Sequence, residues 1–319
     1  MILQIAAFII SCLVLSWLSK SLVKTLVGVA KYLNLREFIV GFFVMAFASS
    51  LPNLFVDINA ALHGMPQISF GDIVGGNVVD LTLVMAIAVF FSKKNLQAKS
   101  RMVQASAIFT AVIAVLPLLL ILDGNLSRID GVILLLTFFA YSFWLFSDGE
   151  RFSKIYKTDK KERKNMDVFW FLRSSAKLVF LIALLLLASF VIIDTAQFFS
   201  KAFGTSLALV GIIIVGLGNC FPEIYFSIVS ARRGEGWMIL GDLMGSVVVC
   251  ATLVLGIVAL ISPFQIYDFS PFLIARAFTL VAAAFYLFAI KTDKKITKKE
   301  GLLLLSVYIA FLLAEIFIR

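Results

Sequence analysis

The sequence predicts an all-α membrane protein with ten transmembrane helices, arranged as a 5+5 inverted-topology repeat with both termini outside. Three observations support this prediction: an apolar composition, an internal duplication, and a regular alternation of basic and non-basic loops. The chain of 319 residues is 61% hydrophobic and only 15% charged, and its mean hydropathy is +1.04. A water-soluble domain of this length does not need so much apolar sequence, so lipid is the expected solvent.

The duplication joins residues 40–87 to residues 210–257, which align without a gap at a constant offset of 170. Identical pairs include Gly41 and Gly211, Pro52 and Pro222, Gly71-Asp72 and Gly241-Asp242, Gly75 and Gly245, and Thr82-Leu83-Val84 and Thr252-Leu253-Val254. An internal repeat constrains the predicted fold more strongly than local sequence patterns do. In membrane proteins, two inverted copies are typical of secondary transporters, with the site near the midplane where the copies meet.

Apolar stretches of about 17–25 residues can cross the hydrocarbon core as helices. Ten are predicted, at about 2–18, 38–62, 70–92, 103–122, 130–147, 175–193, 207–231, 237–262, 271–290 and 301–318. The first is interpreted as a helix, because the N-terminus lacks the basic region and cleavage site of a removed signal peptide.

The loops give an independent test of this count. Those after spans 1, 3, 5, 7 and 9 are rich in Lys and Arg, whereas the others contain only His63, Arg128 and Lys201. The positive-inside rule then places both termini outside. Five spans in each half force the second half to run in the opposite direction. We therefore divide the chain into a first repeat at 1–148, a basic cytoplasmic linker at 149–169 and a second repeat at 170–319.

The formal charge of +9 could suggest a nucleic-acid partner. The basic residues instead lie between apolar stretches, where they report topology. The expected partners are inorganic cations and the lipid bilayer, with no nucleic acid and no cofactor, and a monomer is expected. The lack of a large soluble regulatory domain suggests a minimal prokaryotic-type transporter. The expected location is the plasma membrane, which a multi-pass protein of this type would cross as an inner-membrane protein.

Polar residues inside spans are costly and are therefore functional candidates. Span 2 contains Ser49-Ser50-Leu51-Pro52-Asn53, and span 7 contains Asn219-Cys220-Phe221-Pro222-Glu223. A proline removes one helical hydrogen bond, so local unwinding is predicted before Pro52 and Pro222. Unwound backbone frees carbonyl groups that can coordinate a cation. Two prolines at equivalent positions, each beside polar side chains, favour an ion site over a structural kink.

Spans 3 and 8 add further acids. Asp80 lies two turns into span 3, so a position in the hydrocarbon region is predicted, whereas Asp72 and Asp242 lie near span starts, where they are either helix caps or functional. Hard cations prefer oxygen ligands. Asp80 and Glu223, one from each repeat, can neutralise one divalent ion, two monovalent ions or two protons, which is the electrostatic requirement for exchange.

These segments resemble the two α-repeats of the sodium/calcium exchanger (calcium/cation antiporter) superfamily. The family pattern is Thr-Ser-Leu-Pro-Glu in one span and Gly-Ser-Asn, followed by Asn or Asp, in the next. The resemblance covers nearly the whole chain and implies the same ten-span inverted fold. It also implies cation ligands at Ser49, Ser50, Asn53, Asp80, Asn219, Cys220, Glu223, Ser246 and Cys250, backbone carbonyl ligands at Ala46 and Gly216, and accessory positions at Asp57 and Asn77.

The chain departs from the family pattern at several ligand positions. Asn53 stands where the family usually has an acid, and Cys250 where it often has an acid or amide, whereas Asp80 supplies a carboxylate where many members have Asn. Asp57 lies one helical turn beyond Asn53. It either partly replaces the lost acid or faces a vestibule and attracts cations.

The resemblance implies a secondary active antiporter that exchanges Ca²⁺, or another divalent cation, for Na⁺ or H⁺ by alternating access. Spans 1 and 6 are predicted to move across a packed core of spans 2, 3, 7 and 8. One alternative is a softer cation such as Mn²⁺, Zn²⁺ or Cd²⁺, suggested by Cys220 and Cys250, although buried cysteine commonly acts as a small apolar filler. Another is a non-transporting ion-binding homologue. An enzyme is not expected, because His63 is the only histidine and no metal-hydrolase motif is present.

Overall fold

A computed structural model describes residues 1–32, 47, 50–148, 168–234, 236–266, 270–292 and 294–317. Its helices, labelled in chain order, are α1 (Ile2–Tyr32), α2 (Leu51–Leu62), α3 (Pro66–Val79, Asp80–Val84 and Met85–Phe91), α4 (Arg101–Leu120), α5 (Arg128–Asp148), α6 (Val168–Phe203), α7 (Leu207–Val210, Gly211–Val215, Gly216–Asn219 and Phe221–Arg233), α8 (Gly236–Val248, Val249–Val254 and Leu255–Ile261), α9 (Ser270–Lys291) and α10 (Lys298–Phe317).

The structure confirms a mostly helical membrane protein. Eight helices, α3 to α10, are long and apolar enough to cross a bilayer. Two further apolar helical segments, Ile2–Leu18 and Leu51–Leu62, are shorter. Most of the N-terminal part of predicted span 2 lies outside the described residues, as do Ala46 and Ser49 of the predicted site.

Two helices are longer than the hydropathy pattern predicts. The α1 helix continues to Tyr32 instead of ending near residue 18, so Lys20, Lys24 and Lys31 lie in the helix and not in a loop. The α6 helix begins at Val168, inside the predicted linker, and ends at Phe203 rather than near 193. Hydropathy marks the segment that lipid can cover, whereas helical hydrogen bonding continues into polar sequence until a residue stops it. For α6 that residue is Gly204, with φ of +63°.

The helices form two apolar cores. The larger one is built mainly from α3, α4, α5, α8, α9 and α10. In the smaller one, α1 packs along α6, and both contact apolar faces of α2 and α7. The pair α1 and α6 is thus packed separately from most of the larger core.

Glycines allow α3 and α7 to cross at backbone contact. A Cβ atom added to Gly75 would lie 2.1 Å from the Ile212 carbonyl oxygen, and one added to Gly211 would lie 2.5 Å from the Ile68 carbonyl oxygen. Any larger residue would push the two helices apart. This crossing brings the Asp80 helix of the first repeat against the Glu223 helix of the second.

Two short antiparallel strand pairs connect the halves. β1 (Leu96–Gln97) pairs with β4 (Lys295–Ile296), and β2 (Asn125–Leu126) pairs with β3 (Phe264–Gln265). Each pair joins a loop of the first half to a loop of the second. These strands could not be predicted from the sequence, because two residues are too few to produce a period-two pattern.

Candidate cation-binding site

Both predicted helix breaks are present, and they have the same backbone geometry. Before Pro52 the chain turns at Ser50, with φ −81° and ψ −1°, and α2 begins at Leu51. Within α7 the chain turns at Cys220, with φ −81° and ψ 0°, and the helix restarts at Phe221. Each proline lies in the first turn of the new helix, where its missing N–H costs nothing. The breaks therefore place Asn53 and Glu223 at equivalent positions beside a helix start.

The crossing of α3 and α7 assembles a buried pair of acids. Glu223 is 0% exposed and Asp80 is 3% exposed. The Ser246 hydroxyl donates to Glu223 Oε1 at 3.2 Å. Cys220 and Ser246 are also within hydrogen-bonding reach of Asp80, which is close enough to Glu223 for direct charge repulsion. Asp80 Oδ1 and Glu223 Oε2 accept no hydrogen bond.

The repeat-related counterpart of this pair is neutral. Positions 53 and 250 correspond to 223 and 80 at the offset of 170. In the structure Asn53 Nδ2 donates to Cys250 Sγ at 3.3 Å, and both residues are buried. One side of the repeat interface therefore carries two carboxylates, and the equivalent side carries an amide and a thiol.

A second polar cluster lies between α2, α3 and α7. Asn219 Nδ2 donates to Asp72 Oδ2 at 2.7 Å, so this predicted ligand lies against Asp72. The carboxyl group of Asp57 adjoins that of Asp72. Ser69 Oγ donates to the Asp57 backbone carbonyl at 3.0 Å and fixes α2 against α3.

Two interpretations of the acids are corrected. Asp57 is 0% exposed, so it does not face a vestibule in this structure. Asp72 and Asp242 are not helix caps, since α3 begins at Pro66 and α8 at Gly236, six residues before each acid. Both acids are buried. Asp72 was not among the predicted ligands, although Pro66 at the first helical position was a signal that α3 starts too early for Asp72 to cap it.

The remaining predicted residues lie close to these contacts. Ser50 and Asn77 are buried, and Cys220 Sγ lies 3.8 Å from the Gly76 carbonyl oxygen. Gly216 follows the π-helical turn Gly211–Val215, just before the break in α7.

Two further π-helical turns occupy equivalent places in the repeats. Asp80 begins the turn Asp80–Val84 in α3, and Cys250 lies in the turn Val249–Val254 in α8. Such turns often occur at functional sites, because the extra residue rotates the following side chains. The hydroxyls of Thr82 and Thr252 donate to carbonyls four residues earlier, which is compatible with a locally widened helix. The repeated Thr-Leu-Val was the available signal in the sequence.

Among the described residues, no three His, Cys, Asp or Glu side chains are grouped so that they could hold a metal ion. A cation here would be held by a mixed set, with two carboxylates supplemented by hydroxyl, amide and backbone oxygens. Such donors suit hard cations.

The profile of the protein family described as "Sodium/calcium exchanger protein" matches residues 3–147 and 174–317. The chain is 28% identical over 315 residues to "Uncharacterized membrane protein MJ0091" of Methanocaldococcus jannaschii, covering 97% of each. It is 24% identical over 308 residues to "Putative antiporter CaxA" of Alkalimonas amylolytica, covering 95% of each. It is also 24% identical over 337 residues to "Sodium/calcium exchanger MaX1" of Methanosarcina acetivorans, covering 93% of each.

The fold is also similar to solved structures. The structure of the sodium-calcium exchanger NCX_Mj soaked with 2.5 mM Na⁺ and 10 mM Sr²⁺ superimposes with a TM-score of 0.68 at 23% identity, covering 100% of this chain and 99% of that chain. The same exchanger soaked with 10 mM Na⁺ and zero Ca²⁺ gives a TM-score of 0.67. This similarity extends over all the helices described above.

Proposed function

The chain belongs to the sodium/calcium exchanger protein family, and from this premise we propose that it is a secondary active antiporter that exchanges Ca²⁺, or another divalent cation, for Na⁺ or H⁺. The observation that carries the proposal is the buried pair Asp80 and Glu223 at the crossing of α3 and α7. Burial of an uncompensated carboxylate in a low-dielectric interior costs roughly several kcal/mol. The folded site therefore requires bound cations or protons.

The same pair defines the exchange in electrostatic terms. One divalent cation, two Na⁺ or two protons each neutralise Asp80 and Glu223. A site balanced equally by either load can release one and accept the other without leaving bare charge in the membrane. The Ser246 hydroxyl donates to Glu223, so its oxygen lies beside the carboxylate that would hold a cation.

We further propose the ten-span inverted topology with both termini outside, in a monomer of the plasma membrane. The strand pairs support it: β1 and β4 join the α3–α4 and α9–α10 loops, whereas β2 and β3 join the α4–α5 and α8–α9 loops. The first two loops are predicted inside and the second two outside. Each contact therefore connects loops on one side of the membrane.

Alternating access would move α1 and α6 across the core that holds the site. The packing of α1 along α6, in an apolar core of their own, suits such a motion. Only a site that holds a cation or protons should change its access from one side of the membrane to the other, because the binding energy must offset the cost of closing the site. Free switching with an empty, unprotonated site would contradict this mechanism.

A softer divalent cation is the second candidate, and one contact favours it. Cys220 is within reach of Asp80, so a thiolate beside that carboxylate could bind Mn²⁺, Zn²⁺ or Cd²⁺, with hydroxyl and backbone oxygens as the other ligands.

The test is radiolabelled Ca²⁺ uptake into proteoliposomes under an outward Na⁺ gradient and then an outward H⁺ gradient. Asp80→Asn and Glu223→Gln should each abolish uptake, whereas the matched control Asp194→Asn, at an exposed position on α6, should keep it. The gradient that drives uptake identifies the coupling ion. Absence of Ca²⁺ flux under both gradients would contradict Ca²⁺ exchange, and Mn²⁺, Zn²⁺ and Cd²⁺ would be tested next. Binding without flux of any cation would indicate a non-transporting homologue.

A further inference from the structure

Three helices each contribute one polar side chain to the cluster beside Asp72. Asp57 comes from α2, Asp72 from α3, and Asn219 is the last helical residue before the break in α7. The Asn219 amide donates to Asp72 at 2.7 Å, and the two carboxyl groups adjoin each other. Asp57 and Asp72 are 0% exposed and Asn219 is 2% exposed, so water does not solvate them.

The acceptor oxygens of this cluster outnumber its donors. Oδ1 of Asp72 and Oδ1 of Asn219 accept no hydrogen bond, and among its described neighbours the Asp57 carboxyl group has only the Asp72 carboxyl group and Ser69 within reach. Among the described residues, the buried polar side chains include no Lys, Arg or His that could compensate the two acids. Buried acceptors without donors are unfavourable, and two adjacent carboxylates repel each other. A bound cation removes both problems, and carboxylate and amide oxygens are the ligands that hard cations select.

This cluster uses different side chains from the Asp80 and Glu223 pair, although Asp72 is near enough to Asp80 for charge repulsion between the two carboxylates. Asp72 and Asp80 are eight residues apart on α3, which corresponds to about 12 Å along the helix. Asp72 is nearer the start of α3 at Pro66, and Asp57 is nearer the end of α2 at Leu62. The cluster therefore lies toward the turn that joins α2 to α3, whereas Asp80 lies deeper along α3.

We propose that Asp57, Asp72 and Asn219 form a second cation-binding site, which takes a hard cation, Na⁺ or Ca²⁺. Its role in exchange rests on the proposed function, whereas the binding itself does not. The site supplies two carboxylates in a chain whose positions 53 and 250 are neutral, so the protein can hold more than one ion. Asn219 is adjacent to Cys220, which lies within reach of Asp80, so the two sites approach each other at the break in α7.

The experiment is equilibrium binding of ²²Na⁺ and of ⁴⁵Ca²⁺, measured separately, on the purified full-length chain in detergent. The variants are Asp57→Asn/Asp72→Asn, Asp80→Asn/Glu223→Gln and the exposed control Asp194→Asn. We expect the first double variant to lose one equivalent of Na⁺ or of Ca²⁺ per protein. The second should retain that equivalent, and the control should match the unmodified chain. The radiolabel that is lost identifies the cation.

Unchanged numbers and affinities for both cations in Asp57→Asn/Asp72→Asn would overturn the proposal. Gel filtration and retained binding at Asp80 and Glu223 show that this variant is folded. If it does not fold, Asp57→Asn alone should weaken the same equivalent at least tenfold, and unchanged affinity would again overturn the proposal. If the chain takes up Ca²⁺ but the double variant binds cations like the unmodified chain, the second site is wrong and the proposed function is unaffected. If the double variant loses one equivalent but the chain shows no exchange, the second site is supported and the proposed function is wrong.

Discussion

Glu223 and Asp80 have charges that their repeat-related partners, Asn53 and Cys250, lack. The repeat and the polar positions inside spans predicted Asp80, Cys220, Glu223 and Ser246 as ligands, and the structure brings these four side chains together, whereas their binding of a cation stays a prediction. The sequence could not predict which side chains touch. Asn219 lies against Asp72, and Asn53 lies against Cys250, because these contacts depend on how the helices cross and not on spacing along the chain.

The thiols can be tested as residues. In Cys220→Ser and Cys250→Ser, a hydroxyl replaces a group that already contacts Gly76 O or Asn53 Nδ2, so hydrogen bonding is preserved. We expect Ca²⁺ uptake within about twofold of the unmodified chain, since serine keeps an oxygen that suits hard cations. Inhibition of uptake by Cd²⁺ should also be unchanged. Loss of Cd²⁺ inhibition in Cys220→Ser alone would instead favour the soft-cation candidate, and Asp194→Asn, at an exposed position on α6, is the control.

At the scale of the helices, the breaks before Pro52 and Pro222 were predictable because proline has one local consequence. The three π-helical turns and the full length of α1 and α6 were not, since both depend on packing across helices rather than on local composition. The crossing of α3 and α7 lies between these cases. Its glycines are evident in the sequence, but their partners are not.

That crossing can be tested with adjacent glycines. A Cβ added to Gly75 would lie 2.1 Å from Ile212 O, whereas at Gly76 the nearest atom is Cys220 Sγ at 3.7 Å. Gly75→Ala should therefore destabilise the fold by about 1–3 kcal/mol or more, as overpacking does. A lower thermal midpoint by light scattering or intrinsic fluorescence would show this, with Gly76→Ala close to the unmodified chain. Equal midpoints for the two variants would contradict the backbone contact.

A third glycine tests the motion of α1. A Cβ at Gly218 would lie 3.0 Å from Cys12 Sγ and 3.0 Å from Phe8 Cζ, both side-chain ends on α1. We expect Gly218→Val to reduce the maximal uptake rate several-fold while Ca²⁺ binding persists, because the clash obstructs movement of α1 past α7. Adding Cys12→Ala should restore part of the rate. A variant that lost binding and rate together would show that Gly218 only supports the site.

At the scale of the whole molecule, the mostly helical membrane fold followed from hydropathy, a global property of the sequence, whereas the ten spans and the outside termini stay predictions. The two strand pairs that connect the halves did not follow from the sequence, because a contact of two residues leaves no periodic signal. Each strand pair joins a loop of the first half to a loop of the second, and cysteine labelling can test whether the paired loops lie on the same side of the membrane.

Single cysteines at Gln97, Lys295, Asn125 and Gln265 should report the two membrane faces. The positions in β1 and β4 should react with a membrane-impermeant maleimide only from inside, and those in β2 and β3 only from outside, because each pair joins loops of one predicted side. Sided vesicles and mass-tag gels provide the measurement, with Cys12, Cys220 and Cys250 replaced. Reaction of all four positions from one face would reject the inverted topology.

The unequal pairing of positions 80 and 223 with positions 250 and 53 has a consequence for direction. If inverted repeats reach the two open states by exchanging conformations, identical repeats would give mirror-image states of equal energy. In this chain, the swap of conformations would give Asp80 and Glu223 the geometry that Cys250 and Asn53 have in the other state. The two open states would therefore differ in energy. For the proposed exchanger, we therefore expect different half-saturating ion concentrations at the two faces of the membrane.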